Sequence, residues 1–453
     1  MYKRQTVGWK LIDIPDDNAT ADTDGNNWIQ TAFNDDEDQS RWFWFKSNGK
    51  KQTSANTGDT ELKQKTIDGK KYAFDQYGRM VAEWVVDMGQ AEVNYTSATG
   101  NKTYTAANGV QVLHQTPGSG NVAVNEGDSR WSSAWMYFNS VEDGARVAKN
   151  WFKVVPAEGL NSSKYNDDED GWYYADGNGH LYASEFKTIK GKKYGFDNKG
   201  KMIDGLKFIH YDSSTNTVID SQASDNDYYP FDTEDGFDEN SLYWASQGYK
   251  CYYFGSSSDG AMKTGKMQID IDGDNYTFNF GKSGSNKGAG KTGEDDKKYY
   301  NSGKLMAAGK DEKYQVIFPV ANISSDRADT TTKSTNVKGY KKYEDAAQFA
   351  SKVSGGQYTK VLTTVAEIQT LSTTQLNQCG LNATKRAEDK YGDLKVFMTQ
   401  NDDGTWSLGL PSDRYMVVNS TGSVSKSNSK IKDGNDVYYK LYGGKIVSTF
   451  SEN

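Results

Sequence analysis

Residues 65–80, KTIDGKKYAFDQYGRM, return 122 positions later as residues 187–202, KTIKGKKYGFDNKGKM, with eleven of the sixteen positions identical. A chain that repeats itself this closely is assembled from copies of one small element, and such a repeat constrains the fold before any other property does. An aromatic run precedes each copy, Trp42-Phe43-Trp44 before Gly49 and Trp172-Tyr173-Tyr174 before Gly179, seven residues from Trp to Gly in both. Looser copies follow the same plan. Trp135-Met136-Tyr137-Phe138 leads to Gly144 and Trp151, Cys251-Tyr252-Tyr253-Phe254 to Gly260, and Lys298-Tyr299-Tyr300 to Gly303. With Asn275-Tyr276-Thr277-Phe278 and Val437-Tyr438-Tyr439 the count reaches nine units.

One unit reads as a β-hairpin. Alternation along a strand puts Trp172 and Tyr174 on one face and Tyr173 on the other. Asp176-Gly177-Asn178-Gly179 supplies residues that accept positive φ, as a tight turn requires. A short return strand carries Leu181, or Met80, Met202, Met262 or Met306 in other units. A lone two-stranded hairpin is marginal in water, so the copies must bury one another's rings in a quasi-linear stack. Composition agrees: 11 Trp, 30 Tyr and 18 Phe sit in a chain that is only 35% hydrophobic, with 45 Gly and 6 Pro. That is too few aliphatic residues for one large core, and many rings for small ones. The expected fold class is mainly β, a solenoid-like array of aromatic β-hairpin repeats with a small α/β insert near the C-terminus.

The organisation expected along the chain follows. Residues 1–26 read as a truncated N-terminal segment or linker, 27–91 as hairpin repeats, and 92–130 as a β-rich insertion or loop. Hairpin repeats return over 131–316, an α/β insert fills 317–406, and repeat-like hairpins close the chain over 407–453. Within the insert, residues 343–350 look helical, and 361–371 has the apolar spacing of a second helix. No apolar run approaches the ~18 residues of a membrane span. The net charge of −8 argues against nonspecific nucleic-acid binding. Cys251 and Cys379 read as two unrelated thiols, because two cysteines make no disulfide framework. No secretory leader opens the chain. Its first residues, MYKRQ, look like read-through at the end of a metagenomic gene model, so the natural N-terminus is expected to be missing.

The units GWYYADGNGHLY and KGKKYGFDNKGKM resemble the cell-wall-binding repeats of Gram-positive surface proteins, of the choline-binding and glucan-binding type, with the flavour of gut clostridia. The resemblance covers half to two-thirds of the chain. It implies noncatalytic attachment to a wall polymer, either teichoic-acid choline or a polysaccharide, by an extracellular, wall-associated protein without cofactor. In the family, the Trp that opens a hairpin, a Tyr on the same strand face and a closing Trp form a shallow cage. Trp42, Trp44, Trp84, Trp135, Tyr137, Trp151, Trp172 and Tyr174 match those positions, and the same rings are also the natural packing core. The closing Trp gives way to Leu206, Lys266 and Lys310 elsewhere, and Cys251 replaces an opening Trp. Two alternatives stand beside this reading: the targeting module of a larger wall hydrolase or glycosidase, and an adhesin whose insert contacts a partner.

Catalytic patterns are thin. His114, His180 and His210 have no metal spacing, and His180 reads as a solvated turn residue. Residues 284–292, GSNKGAGKT, mimic a phosphate-binding loop, but Ser285 stands where the first Gly belongs and an aromatic hairpin follows instead of a helix. The acidic runs 167–170 and 270–274 read as turns and solvated faces, since neither has calcium-loop spacing.

Overall fold

A computed structural model describes residues 5–13, 40–54, 62–75, 77–87, 112–114, 129–221, 232–321, 338–353, 355, 358–381 and 391–452. It is mainly β, in many small antiparallel sheets made of hairpins, and its longest described helix is Glu234–Ser246. The chain divides into two compact units. The first is Met1–Asp227 with Phe254–Met262, the second Tyr228–Tyr253 with Lys263–Asn453.

In the first unit the two near-identical segments form the same hairpin. Lys63–Ile67 pairs with Lys70–Phe74, and Glu185–Ile189 with Lys192–Phe196. Their turns place two residues in the left-handed region, Asp68 with Gly69 and Lys190 with Gly191. That geometry matches the strand twist and favours a Gly at the second position. The ladder differs from expectation in one respect. Each aromatic strand pairs along its length with the segment before it, while the expected return strand shrinks to one bridge: Phe74↔Met80, Ala175↔Leu181, Phe196↔Met202. The reason lies in the turn between them. Asp75 Oδ1 accepts the amides of Tyr77 and Arg79, Asp176 Oδ1 those of Asn178 and His180, and Asp197 Oδ1 those of Lys199 and Lys201. Such side-chain-closed turns steer the chain off the ladder.

The freed return residue then bonds to a different hairpin. The Met80 amide donates to the Trp42 carbonyl at 2.8 Å, that of Met202 to Trp172 at 2.8 Å, and that of Leu181 to Trp135 at 3.2 Å. Main-chain bonds therefore join successive units, and the buried Met80, Leu181 and Met202 fill the space beneath them. Burying each such side chain contributes about 1.5–3 kcal/mol. Gly144 and Gly260, both at positive φ, sit so close to Met80 and Met202 that a Cβ on either would overlap the methionine. The strand Gly8–Asp13 pairs with Ser40–Phe45, which puts part of the segment 1–26 inside the first hairpin. The insertion read at 92–130 lies outside the described residues apart from 112–114 and 129–130. Val112–His114 runs parallel to Trp84–Asp87.

In the second unit the acidic run 270–274 is a hairpin turn. Asp272 and Gly273 carry positive φ between Gly265–Ile271 and Asp274–Phe280. The Gly-rich run 284–292 is a hydrogen-bonded turn that leads into the strand Gly293–Asp295, with Gly290 donating to the Cys251 carbonyl. Helices do occur within 317–406, with different bounds from those expected. Gly339–Tyr343 is a strand, and the helix Ala346–Lys352 starts only after Asp345, whose carboxylate caps it through the Gln348 amide. Residues 361–371 are not one helix. Thr359–Leu362 is a strand, and Thr364 opens the short helix Val365–Ile368 with a capping box to Glu367. The β-branched residues before that cap favour the strand.

Strands of this segment also interleave with the C-terminal hairpin. Tyr391–Gln400 pairs with Thr359–Leu362 on one side and with Lys445–Glu452 on the other. Tyr314–Val320 pairs with both Gly339–Tyr343 and Met416–Asn419. One core holds Phe349 and Phe397 together with Tyr439, Leu441 and Ile446.

Candidate functional site

Pairing brings the eight matched residues into three groups within the first unit. Trp151 lies opposite Tyr174 in the ladder of Asn150–Val154 with Gly171–Ala175, and Trp172 is two residues along the same face. The Trp151 indole stands at 86° to that of Trp172, centroids 6.4 Å apart, and at 76° to Tyr174, 5.1 Å away. Two rings of the following hairpin close the group, Tyr194 edge-on at 4.8 Å and Phe196 stacked at 5.8 Å.

Trp42 and Trp44 belong to a second group centred on a residue outside the matched set, Trp9. Trp9 meets Trp42 at 6.5 Å and 87°, Trp44 at 5.2 Å, Tyr72 at 4.8 Å and Phe74 at 5.8 Å. Ring for ring, this repeats the Trp151 group within a few tenths of an ångström. Gly8-Trp9 has the form of a closing Trp, within the residues 1–26 that read as a truncated segment or linker.

Trp84 heads the third group. It lies opposite Tyr137 in its ladder and meets Trp135 at 6.1 Å, Tyr137 at 5.2 Å and Tyr173 at 5.3 Å. Its indole N–H donates to the Val155 carbonyl at 2.8 Å.

Burial separates roles inside each group. Trp135 is 1% exposed and Tyr174 9%, which makes them packing residues, whereas Trp9, Trp42, Trp44, Trp84, Tyr137, Trp151 and Trp172 are half-buried. Perpendicular pairs are the favoured arrangement of two π quadrupoles. The half-buried indoles also keep part of their surface accessible to solvent. Burial, with the Glu83 charge adding to it, pushes the Tyr137 phenol up to about 12. Burial likewise raises Tyr72 and Tyr182, Lys70 partly offsetting the rise at Tyr72. These rings stay neutral through ordinary pH.

No protein-family model matches the chain, and no curated protein matches it. Solved structures do. Choline-binding protein F from Streptococcus pneumoniae, in the presence of a peptidoglycan analogue, is similar over 67% of this chain and 74% of its own, at 17% identity and a TM-score of 0.31. CbpJ from Streptococcus pneumoniae TIGR4 is similar over 97% of this chain and 100% of its own, at 13% identity and a TM-score of 0.28. The choline-binding domain of CbpL from the same species is similar over 59% and 94%, at 16% identity and a TM-score of 0.20.

His180, the acidic run 167–170, the cysteines and the Asp238 cluster make contacts within the fold. His180 is not a solvated turn residue: its side chain is 15% exposed and Nε2 lies 3.3 Å from Asp87 Oδ2. Glu169, in the acidic run 167–170, pairs with Lys164 and Lys201, and Asp170 pairs with Lys153. Both cysteines are buried free thiols. In the second unit a cavity of about 360 Å³ lies against the helix Glu234–Ser246. On its wall, Lys342 Nζ meets Asp238 at 2.9 Å, and Lys304 Nζ behind it meets Asp238 at 2.7 Å and Glu234 at 2.6 Å. Those charges satisfy one another. Among the described residues no group of three or more His, Cys, Asp or Glu is placed to hold a metal ion, and no helix is long and apolar enough to cross a membrane.

Proposed function

We propose that this chain is a noncatalytic wall-attachment protein whose ring groups hold a repeated unit of a bacterial cell-wall polymer, outside the cell. The observation that carries this reading is the duplicated geometry of the Trp9 and Trp151 groups. Five rings recur at matching distances, three of the four ring pairs also at matching angles, in hairpins far apart in sequence, with the indoles left half-buried in both. The Trp84 group keeps the central indole, with partners at 6.1 and 5.2 Å, and varies in its outer rings. The ligand chemistry that suits the groups is a quaternary ammonium over an indole face, or a sugar ring stacked on one. Each such contact is worth about 0.5–2 kcal/mol, so one group binds weakly and three in one chain bind by avidity.

The test is co-sedimentation of the chain with purified Gram-positive walls, with and without excess choline. Release by choline supports an ammonium ligand, and retention supports a sugar. Failure to sediment under any condition sinks the reading and leaves the rings as core. A second reading, the targeting module of a larger hydrolase, uses the same groups, and a catalytic domain encoded in the same reading frame would support it.

A further inference from the structure

We propose that the cavity beside Trp151 in the first unit binds the phosphodiester groups of an anionic wall polymer. This rests on the attachment reading and adds a second chemistry to it. The cavity, about 470 Å³, is lined by Lys70, Lys71, Ala145, Arg146, Trp151 and Phe152 among others, and no acidic side chain lines it. In a chain of net charge −8 that is a local inversion. Nearby acids are already engaged. Asp143 faces Lys70 at 3.6 Å and accepts from Asn139 at 2.7 Å, while Glu142 accepts from the Trp42 indole. Asp176, whose charge reaches Arg146, closes its own turn.

Arg146 is the unmatched group. Its Nη1 donates to the neutral Gln64 side chain at 3.0 Å, its Nε is buried with no hydrogen-bond partner, and no carboxylate of the described residues lies within ion-pair distance. The fold does not need that guanidinium, because the chain contains its own control. Gly144-Ala145-Arg146 and Gly260-Ala261-Met262 occupy the same place in two copies. The Arg146 amide donates to the Lys71 carbonyl at 2.7 Å, and the Met262 amide to the Lys193 carbonyl at 2.7 Å. Lys70 faces Asp143 as Lys192 faces Asp259, at 3.6 and 3.7 Å. Methionine serves the packing there, so an under-partnered cation in the first copy is explained by an anion that completes it. Trp151 lines this cavity and also heads a ring group. A phosphodiester polymer bearing cationic substituents would meet both chemistries within one binding site.

The experiment measures binding of choline-free poly(glycerol phosphate) to the full chain, beside inorganic phosphate and neutral dextran, for the wild type, Arg146→Met and Lys71→Gln. We expect poly(glycerol phosphate) to bind in a salt-sensitive way and Arg146→Met to weaken it about tenfold, the loss of one charge-assisted contact. Thermal stability and choline-released wall binding should persist in that variant. Equal binding by wild type and Arg146→Met overturns the proposal, as does equal binding of dextran. Inorganic phosphate that displaces the polymer at equal concentration overturns the polymer assignment. Should Arg146→Met unfold, the exposed Lys71→Gln carries the same comparison. Poly(glycerol phosphate) binding without wall sedimentation would sink the attachment reading alone.

Discussion

The indole of Trp9 stands at 87° to that of Trp42, centroids 6.5 Å apart, and the Trp151–Trp172 pair matches it to within one degree and a tenth of an ångström. A Trp outside the matched set thus has the same neighbours as Trp151. Trp9→Ala should reduce wall binding to about the extent that Trp151→Ala does. Because both indoles are half-buried, each should also cost roughly 2 kcal/mol, less than the ~3–5 kcal/mol of a fully buried ring. Parallel sedimentation and urea titration of the two variants checks the equivalence.

Trp172 and Tyr174 share a strand face but differ in burial. Trp172→Ala should lower wall binding at a cost of roughly 2 kcal/mol, as for the other half-buried indoles. Tyr174→Ala should remove about 3 kcal/mol of stability, since its ring is stacked on Tyr182 and edge-on to Trp151. A circular-dichroism melt beside each binding curve separates the two roles. If both variants behave alike, burial does not divide the group.

Gly144→Ala should destabilise the first unit by about 1–3 kcal/mol, through left-handed backbone strain and overlap with the buried Met80. Adding Met80→Ala removes the overlap, so the double variant should be more stable than the sum of the single losses. A double-mutant cycle by chemical denaturation measures that coupling.

Burial pushes the Asp238 carboxyl up, but the charges and hydrogen bonds of Lys304 and Lys342 outweigh it and hold the group below its usual range. A depressed carboxylate contributes stability that is complete above its unfolded value of ~3.9 and is lost as pH falls through the folded one. Asp238→Asn should therefore cost about 3 kcal/mol at pH 7, and the gap to wild type should close as the pH falls below about 4. Denaturation curves at several pH values read both the size and the sign.

Residues 317–406 expressed alone should not fold. Tyr391–Gln400 would lose Lys445–Glu452, and Phe349 and Phe397 would lose Tyr439, Leu441 and Ile446. Heteronuclear NMR of that fragment, expected to show collapsed amide dispersion, tests this. A dispersed spectrum would revive the independent partner domain.

What the sequence made legible was local. The hairpins at 65–80 and 187–202 and the Asp272-Gly273 turn depend on residues close in the chain, where turn chemistry and alternation decide. What it hid was pairing at a distance. The return residues Met80 and Met202 look like strand partners of their own hairpin, yet their amides bond to Trp42 and Trp172, a choice made by main-chain geometry after the turn. His180 looks like a wet turn residue until Asp87 arrives from far upstream. Trp9 carries the closing-Trp signal, but only its pairing with Trp44 places it in a group.

The bond from the Met80 amide to the Trp42 carbonyl, and its counterparts, belongs to the backbone and is indifferent to which side chain each residue carries. An array spliced in this way can lose a ring, as at Leu206 or Cys251, and keep its neighbours in register. Gene duplication can then lengthen it and mutation can diversify its members one by one. The scaffold is inherited while the rings vary, and so two groups can remain near-copies while a third in the same unit has already changed its outer rings.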